Sequence, residues 1–177
     1  MEKDDSSAGL PGEVLKVVAG LHSLFKGKGL TLSVAESCTG GLIGHYITQL
    51  PGASAFFDAG VISYSARSKE TVLKVPADVI AASGAVSEET AIEMARGAME
   101  LLGSDFALST TGNLGPDALE GKEIGLVYIG VCSRWLAGAQ AGAIVKKLLL
   151  KGGRNENKKE AALEALRFLL EQARKQP

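Results

Sequence analysis

Three short stretches concentrate the hydroxyl, amine and phenol groups that acyl chemistry uses. They are Glu36-Ser37-Cys38-Thr39-Gly40-Gly41, Tyr64 with Lys69, and Thr110-Thr111-Gly112. Ser37 places a hydroxyl where an apolar run gives way to paired glycines. Such a hydroxyl is a weak nucleophile at neutral pH and needs a base beside it. No histidine falls within these stretches, so a Ser-His-Asp arrangement is unsupported. Lys69 and Tyr64 are the alternatives, because a lysine in a dry pocket sheds its proton and a phenol can relay one. Gly40 and Gly41 lack side chains, so amides at a helix start there can approach an anion or a developing oxyanion.

Each signal also has an ordinary structural reading. Ser-x-Thr-Gly-Gly is a common way to begin a helix. Lys69 fits a solvated helix position, Tyr64 a strand with an outward hydroxyl, and Thr111-Gly112 the end of a strand. Cys38 reads as a small buried thiol. Taken alone, these residues describe a polar pocket lined by Ser37, Thr39, Tyr64, Lys69 and Thr111, and they assign no reaction.

Positioning them requires strands whose ends meet. Residues 31–35, 56–64, 106–110, 124–132 and 139–150 read as strands, with Gly138 marking a hairpin turn between the last two. Helical spacing of apolar residues predicts helices over 13–26, 40–49, 65–73, 76–82, 88–102 and 156–174. Gly27 and Gly29 close the first, and Ser87 caps the fifth with Glu88 and Glu89 in its first turn. On that fifth helix, Ala91, Met94, Ala95, Ala98 and Leu101 form the inner face. Alternating strands and helices that finish in a hairpin predict a three-layer α/β/α sandwich, with a mixed, mostly parallel sheet of five or six strands. In such sheets ligands bind beyond the carboxyl ends of the strands. Residues 1–12 read as a flexible tail and 13–177 as one domain.

Composition narrows the function classes. The chain has 177 residues, 46% hydrophobic, enough for one core without staples. A formal net charge of -1 argues against a nucleic-acid surface. The basic residues between Lys146 and Lys175 are interleaved with acids and read as a solvated helix face. Two cysteines, Cys38 and Cys132, make no disulfide framework, and His22 and His45 sit in different helices, away from metal-ligand spacing. No apolar run reaches membrane length and residues 1–12 hold no signal-peptide core, so a cytoplasmic setting is expected.

Several motifs in register resemble the C-terminal domain of the CinA family. Ala35-Glu36-Ser37-Cys38-Thr39-Gly40-Gly41 is followed by Pro51-Gly52-Ala53-Ser54, Tyr64 with Lys69, and Gly84-Ala85-Val86-Ser87. Thr111-Gly112, Gly115-Pro116, Gly125-Leu126-Val127-Tyr128 and Gly152 with Arg154 continue the match, which covers about residues 13–173. The resemblance implies a nicotinamide-mononucleotide amidohydrolase, or deamidase, that forms nicotinate mononucleotide and ammonia and so recycles pyridine nucleotide toward NAD. It implies no metal or other cofactor, a small nucleotide as the partner, neither nucleic acid nor membrane, and a homo-oligomer of two or more subunits. It gives Ser37 the role of nucleophile or water-positioning hydroxyl, and Tyr64 and Lys69 its activation and the proton transfers. Thr39, Gly40, Gly41, Thr111, Gly112 and Arg154 fall to substrate binding.

The sequence also departs from the family pattern. Where the family commonly reads Thr-Gly-Ile-Ala-Gly-Pro-Gly, this chain has Thr111-Gly112-Asn113-Leu114-Gly115-Pro116-Asp117. Gly152-Gly153-Arg154 stands for Gly-Asp-Arg, and Lys158 for a second arginine. Two rival readings follow from the altered loop: a catalytically silent nucleotide-binding relative, or an amidohydrolase of another small carboxamide.

Overall fold

Side chains alternate along a strand, so each strand sorts its residues onto two faces of a sheet. In the computed structural model, which describes residues 12–136 and 142–176, five strands form one sheet. They are β1 (Leu32–Glu36), β2 (Phe57–Ile62), β3 (Phe106–Gly112), β4 (Leu126–Ser133) and β5 (Ala143–Leu149). Their order is β2-β1-β3-β4-β5. β1 pairs in parallel with both β2 and β3, whereas β3–β4 and β4–β5 are antiparallel. The sheet is mixed as expected: four strands point one way and β4 alone is reversed, so parallel and antiparallel pairings are equal in number.

Helices α1 (Gly12–Lys28), α2 (Leu42–Thr48) and α6 (Arg154–Arg174) cover one face, and α3 (Ala66–Leu73), α4 (Ala77–Ser83) and α5 (Glu88–Leu102) lie on the other side. The two faces are built from different residue sizes. Leu32, Val34, Phe106, Leu108, Val127, Ile129 and Val131 project toward α1, α2 and α6. Toward α5 the same strands present Ala35, Ala107, Ser109, Gly130 and Cys132. Small residues let α5 sit close: a Cβ on Gly130 would stand 2.6 Å from the Ala91 carbonyl oxygen. Ser109 donates its hydroxyl to that same oxygen at 2.6 Å.

Several boundaries differ from the sequence expectation for local reasons. Gly27 lies inside α1, and Gly29, at φ 65°, ends it. The helix expected from residue 40 begins at Leu42, because Gly40 and Gly41 take left-handed φ of 56° and 93°. α5 spans the expected residues with Ser87 as its cap, the hydroxyl accepting from the Thr90 amide at 3.1 Å. Leu101, expected on its inner face, is instead exposed at its last turn. The expected tail before residue 12 and the Gly138 turn lie outside the described residues.

α3 carries Lys69, and its depth depends on a single glycine of α5. A Cβ on Gly97 would overlap the Leu73 carbonyl oxygen, and backbone cannot step aside as a flexible side chain can. Gly97→Ala should therefore cost about 1–3 kcal/mol, lowering Tm by roughly 3–10 °C in a thermal melt. An unchanged melting curve would show that α3 is not held against α5 at this point.

Candidate active site

The carboxyl ends of β2, β1 and β3 lie side by side, and the loops leaving them enclose one cavity of about 250 Å³. Ser37 and Cys38 come from the end of β1, Tyr64 and Lys69 from the segment after β2, and Thr111 to Leu119 from the end of β3. Ala85 and Val86, before α5, and Arg154, the first residue of α6, complete the wall. The three chemistry-bearing stretches of the sequence thus meet where an open α/β sheet binds ligands.

Ser37 is held by its amide, which donates to the Thr110 carbonyl at 3.0 Å. Its hydroxyl accepts from Lys69 Nζ at 2.9 Å. Ser65 caps α3, accepting from the Ser68 amide at 3.1 Å, and this fixes the turn that aims Lys69 inward. Lys69 is only 1% exposed, and Nζ also donates to the Ser63 carbonyl at 2.8 Å. Burial, which penalises the ammonium, brings its pKa down to about 8; Cys38 and Glu120 oppose that shift. The solvated reading of Lys69 is excluded by this placement.

Cys38 is inert by comparison. Burial pushes its thiol up to about 12, so it holds no thiolate at neutral pH. His22 is buried, with Nε2 2.9 Å from the Ile47 carbonyl and its ring edge-on to Phe56. His45 lies beside Gln49 on the surface of α2. No group of three or more His, Cys, Asp or Glu side chains has metal-binding geometry among the described residues. No helix among them is long and apolar enough to cross a membrane.

The glycine turn does not face the cavity as the sequence reading expected. Glu36, buried at the end of β1, folds its carboxylate over the start of α2. Oε2 accepts from the Gly41 and Ile43 amides at 2.9 and 3.1 Å, and Oε1 from the Gly44 amide at 2.9 Å. The protein's own anion therefore occupies the position where an external one was expected. Gly40 donates to the Ser37 carbonyl at 3.1 Å. Thr39 is fully buried, sharing a 2.7 Å hydrogen bond with the Thr110 hydroxyl behind the cavity. Thr39, Gly40 and Gly41 shape the turn and lie outside the cavity wall.

The remaining residues do reach the cavity. Thr111 donates its hydroxyl to the Ala85 carbonyl at 2.6 Å, tying β3 to the loop before α5. Gly112 sits so close to β4 that a Cβ would stand 2.7 Å from the Leu126 carbonyl oxygen. Tyr64 is 61% exposed at the mouth, and its phenol oxygen accepts from Arg154 Nη2 at 2.8 Å. Arg154 Nη1 donates to the Gly115 carbonyl. Asn113, one of the departures from the family pattern, is used as a brace: its Oδ1 accepts from the Gly115 amide at 3.0 Å and its Nδ2 donates to the Lys122 carbonyl at 3.2 Å. Leu114 is buried in the larger core, and Asp117 lines the cavity.

Two contributors were missed in the sequence. Glu36 had a usable signal, since an acid directly before a glycine-led helix start can fold back as its cap. Glu120 had none: its carboxylate accepts from the Ala85 and Val86 amides at 3.1 and 3.4 Å, a contact made across a loop whose path the sequence does not dictate.

Known proteins share this architecture. Residues 15–173 match the family model of the CinA C-terminal domain. A CinA-like protein of Chloroherpeton thalassium is 46% identical over 154 residues, covering 85% of this chain and 36% of that protein. A CinA-like protein of Geobacter sulfurreducens is 44% identical over 147 residues, covering 82% of this chain and 34% of that protein. The chain thus spans about a third of the length of these curated relatives. Among solved structures, competence damage-inducible protein A (ComA) of Klebsiella pneumoniae is similar at a TM-score of 0.84 and 30% identity, covering 90% of this chain and 96% of that one. The competence/damage inducible protein CihA of Agrobacterium tumefaciens gives 0.84 at 32% identity, covering 92% and 96%. A match over nearly the whole chain, with the same fold in solved relatives, places it: the chain belongs to the CinA C-terminal domain family.

Proposed function

We propose that the domain hydrolyses the carboxamide of nicotinamide mononucleotide, releasing ammonia and nicotinate mononucleotide. The observation that carries this reading is the buried pair at the cavity floor, Lys69 Nζ 2.9 Å from Ser37 Oγ. A lysine whose pKa lies near 8 supplies a neutral amine at working pH, which is what a serine nucleophile needs. Ser37 Oγ attacks the carboxamide carbon as its proton passes to Lys69. The C–N electron pair then moves onto nitrogen, which departs as ammonia with the net gain of the proton that Ser37 gave up, so that Lys69 is neutral again. Water resolves the resulting ester by the same route, with Lys69 taking a proton from it and returning one to Ser37.

The developing oxyanion needs a donor, and Glu36 has removed the obvious ones. The amides of Ser37, Gly40, Gly41, Leu42, Ile43 and Gly44 all have protein acceptors. The Cys38 amide, next to the nucleophile at the cavity wall, donates to no backbone acceptor among the described residues and meets only its own sulfur, which leaves it to take the oxyanion role. A cavity of about 250 Å³ suits a pyridine carboxamide, with the ribose and phosphate toward the mouth near Arg154. Arg154 spends two N–H groups on Gly115 and Tyr64, and a guanidinium has others free for a phosphate.

An ammonia assay on nicotinamide mononucleotide tests the reading, with Ser37→Ala as the blank. Turnover should need no added metal and should survive a chelator, because Lys69 supplies the base. Ammonia release by the Ser37→Ala protein at the parent rate would overturn it.

A further inference from the structure

Tyr64 stands at the mouth of the cavity with most of its surface in solvent, a poor setting for a group that must deliver a proton in one direction. Among the described residues its phenol makes one hydrogen bond, to Arg154. That partner is itself held. Arg154 begins α6, Nη1 is anchored on the Gly115 carbonyl, and the guanidinium is planar, so anchoring one nitrogen fixes the direction of the other. Nη2 then meets Tyr64 Oη at 2.8 Å. Arg154 donates here and has no lone pair to accept with, so the phenol proton must point elsewhere.

We infer that Arg154 is a positioning residue for Tyr64, a strut from the Gly115 segment that presents the phenol as a proton donor to the departing nitrogen. The inference rests on the amidohydrolase reading above and adds a role that phosphate binding does not supply. As the C–N bond breaks, its electron pair goes to nitrogen and the Tyr64 proton follows, completing ammonia. The phenolate left behind faces the fixed positive charge of Arg154. Lys69, which holds the proton taken from Ser37, returns one to the phenolate through water, and the balance is restored before the ester is hydrolysed.

Phosphate binding and positioning separate on a substrate without phosphate. Arg154→Ala should lower kcat by about tenfold on nicotinamide mononucleotide, less than the roughly hundredfold or more lost when a proton donor is removed outright. The same loss in kcat should persist on nicotinamide riboside, the matching nucleoside. In a Tyr64→Phe background, Arg154→Ala should change kcat less than twofold, because its effect passes through the missing phenol. Full kcat on the riboside, or losses that simply multiply in the double variant, would overturn the inference. A second measurement does not depend on turnover. With 13Cζ-tyrosine, the Tyr64 resonance, identified by its loss in Tyr64→Phe, should move in Arg154→Ala while the other tyrosine resonances stay. A stationary Tyr64 resonance would overturn the inference even in an active enzyme. Absence of ammonia from the parent protein, with the resonance shifted, would sink the amidohydrolase reading and leave the contact established.

Discussion

Lys69→Met should lose at least about a thousandfold in kcat for ammonia release while melting within a few degrees of the parent. The two outcomes have separate causes. Without the amine, Ser37 loses the only side chain among the described residues placed to take its proton, at 2.9 Å. Stability, by contrast, has opposing terms. Burying the Lys69 ammonium is unfavourable, as its lowered pKa records, and a methionine of similar length removes that penalty. Against this, the Ser63 carbonyl loses its 2.8 Å donor, worth about 1–3 kcal/mol in a buried setting. The terms roughly offset. A Lys69→Met protein that keeps its kcat would rule out the lysine as base.

The same lysine fixes a pH profile. Its pKa in the folded chain lies near 8, below the ordinary 10.5, so the neutral amine gains as pH rises through 8. kcat/KM should climb about tenfold per pH unit below that point and level off above it. Stability follows the matching sign. Between the folded and unfolded values the unfolded chain binds more protons, so this residue's penalty is full below about 8 and fades as pH rises toward 10.5. A rate that is flat from pH 6 to 9 would contradict the assignment.

Glu36→Ala should be the most damaging single change to the fold near the site, costing about 3–5 kcal/mol in denaturant unfolding. The carboxylate is 1% exposed and its partners are three backbone amides, those of Gly41, Ile43 and Gly44. Removing it leaves one buried and two partly buried donors without protein acceptors and withdraws the negative charge from the start of α2. Glu36→Gln should fall between, because its amide nitrogen must confront at least one N–H. Ser37 follows directly in the chain, so activity should drop with stability in both variants. A stability loss below about 1 kcal/mol for Glu36→Ala would mean that water satisfies those amides and that Glu36 is dispensable.

Residue type and order made much of this site legible. Ser37, Lys69, Tyr64, Thr111, Gly112 and Arg154 reach the cavity because strand ends in a parallel arrangement must converge, and alternating strands and helices announce such a sheet. What escaped was decided by competition for hydrogen bonds. Gly40 and Gly41 looked open to a ligand, yet which anion fills a helix start depends on whether a neighbouring carboxylate can fold back. Thr39 alternates with Ser37 away from the cavity, a matter of turn geometry rather than residue type. The loop after β3 was hardest: Asn113 looked like a change to the substrate surface, but its side chain is spent bracing Gly115 and Lys122.

The unequal sizes of residue on the two sheet faces set different limits on how this chain can drift. Where Leu, Ile, Val and Phe meet α1, α2 and α6, one branched side chain can replace another and neighbours can repack. Beneath α5 there is no such slack, because Gly130 and Ser109 touch the helix backbone itself at Ala91. An added methyl group there moves α5 as a body, and α5 is the wall against which Leu73 of α3, the helix that carries Lys69, is seated. Tolerated variation should therefore accumulate on one side of the sheet, while the other stays frozen by the need to hold a buried lysine several residues away.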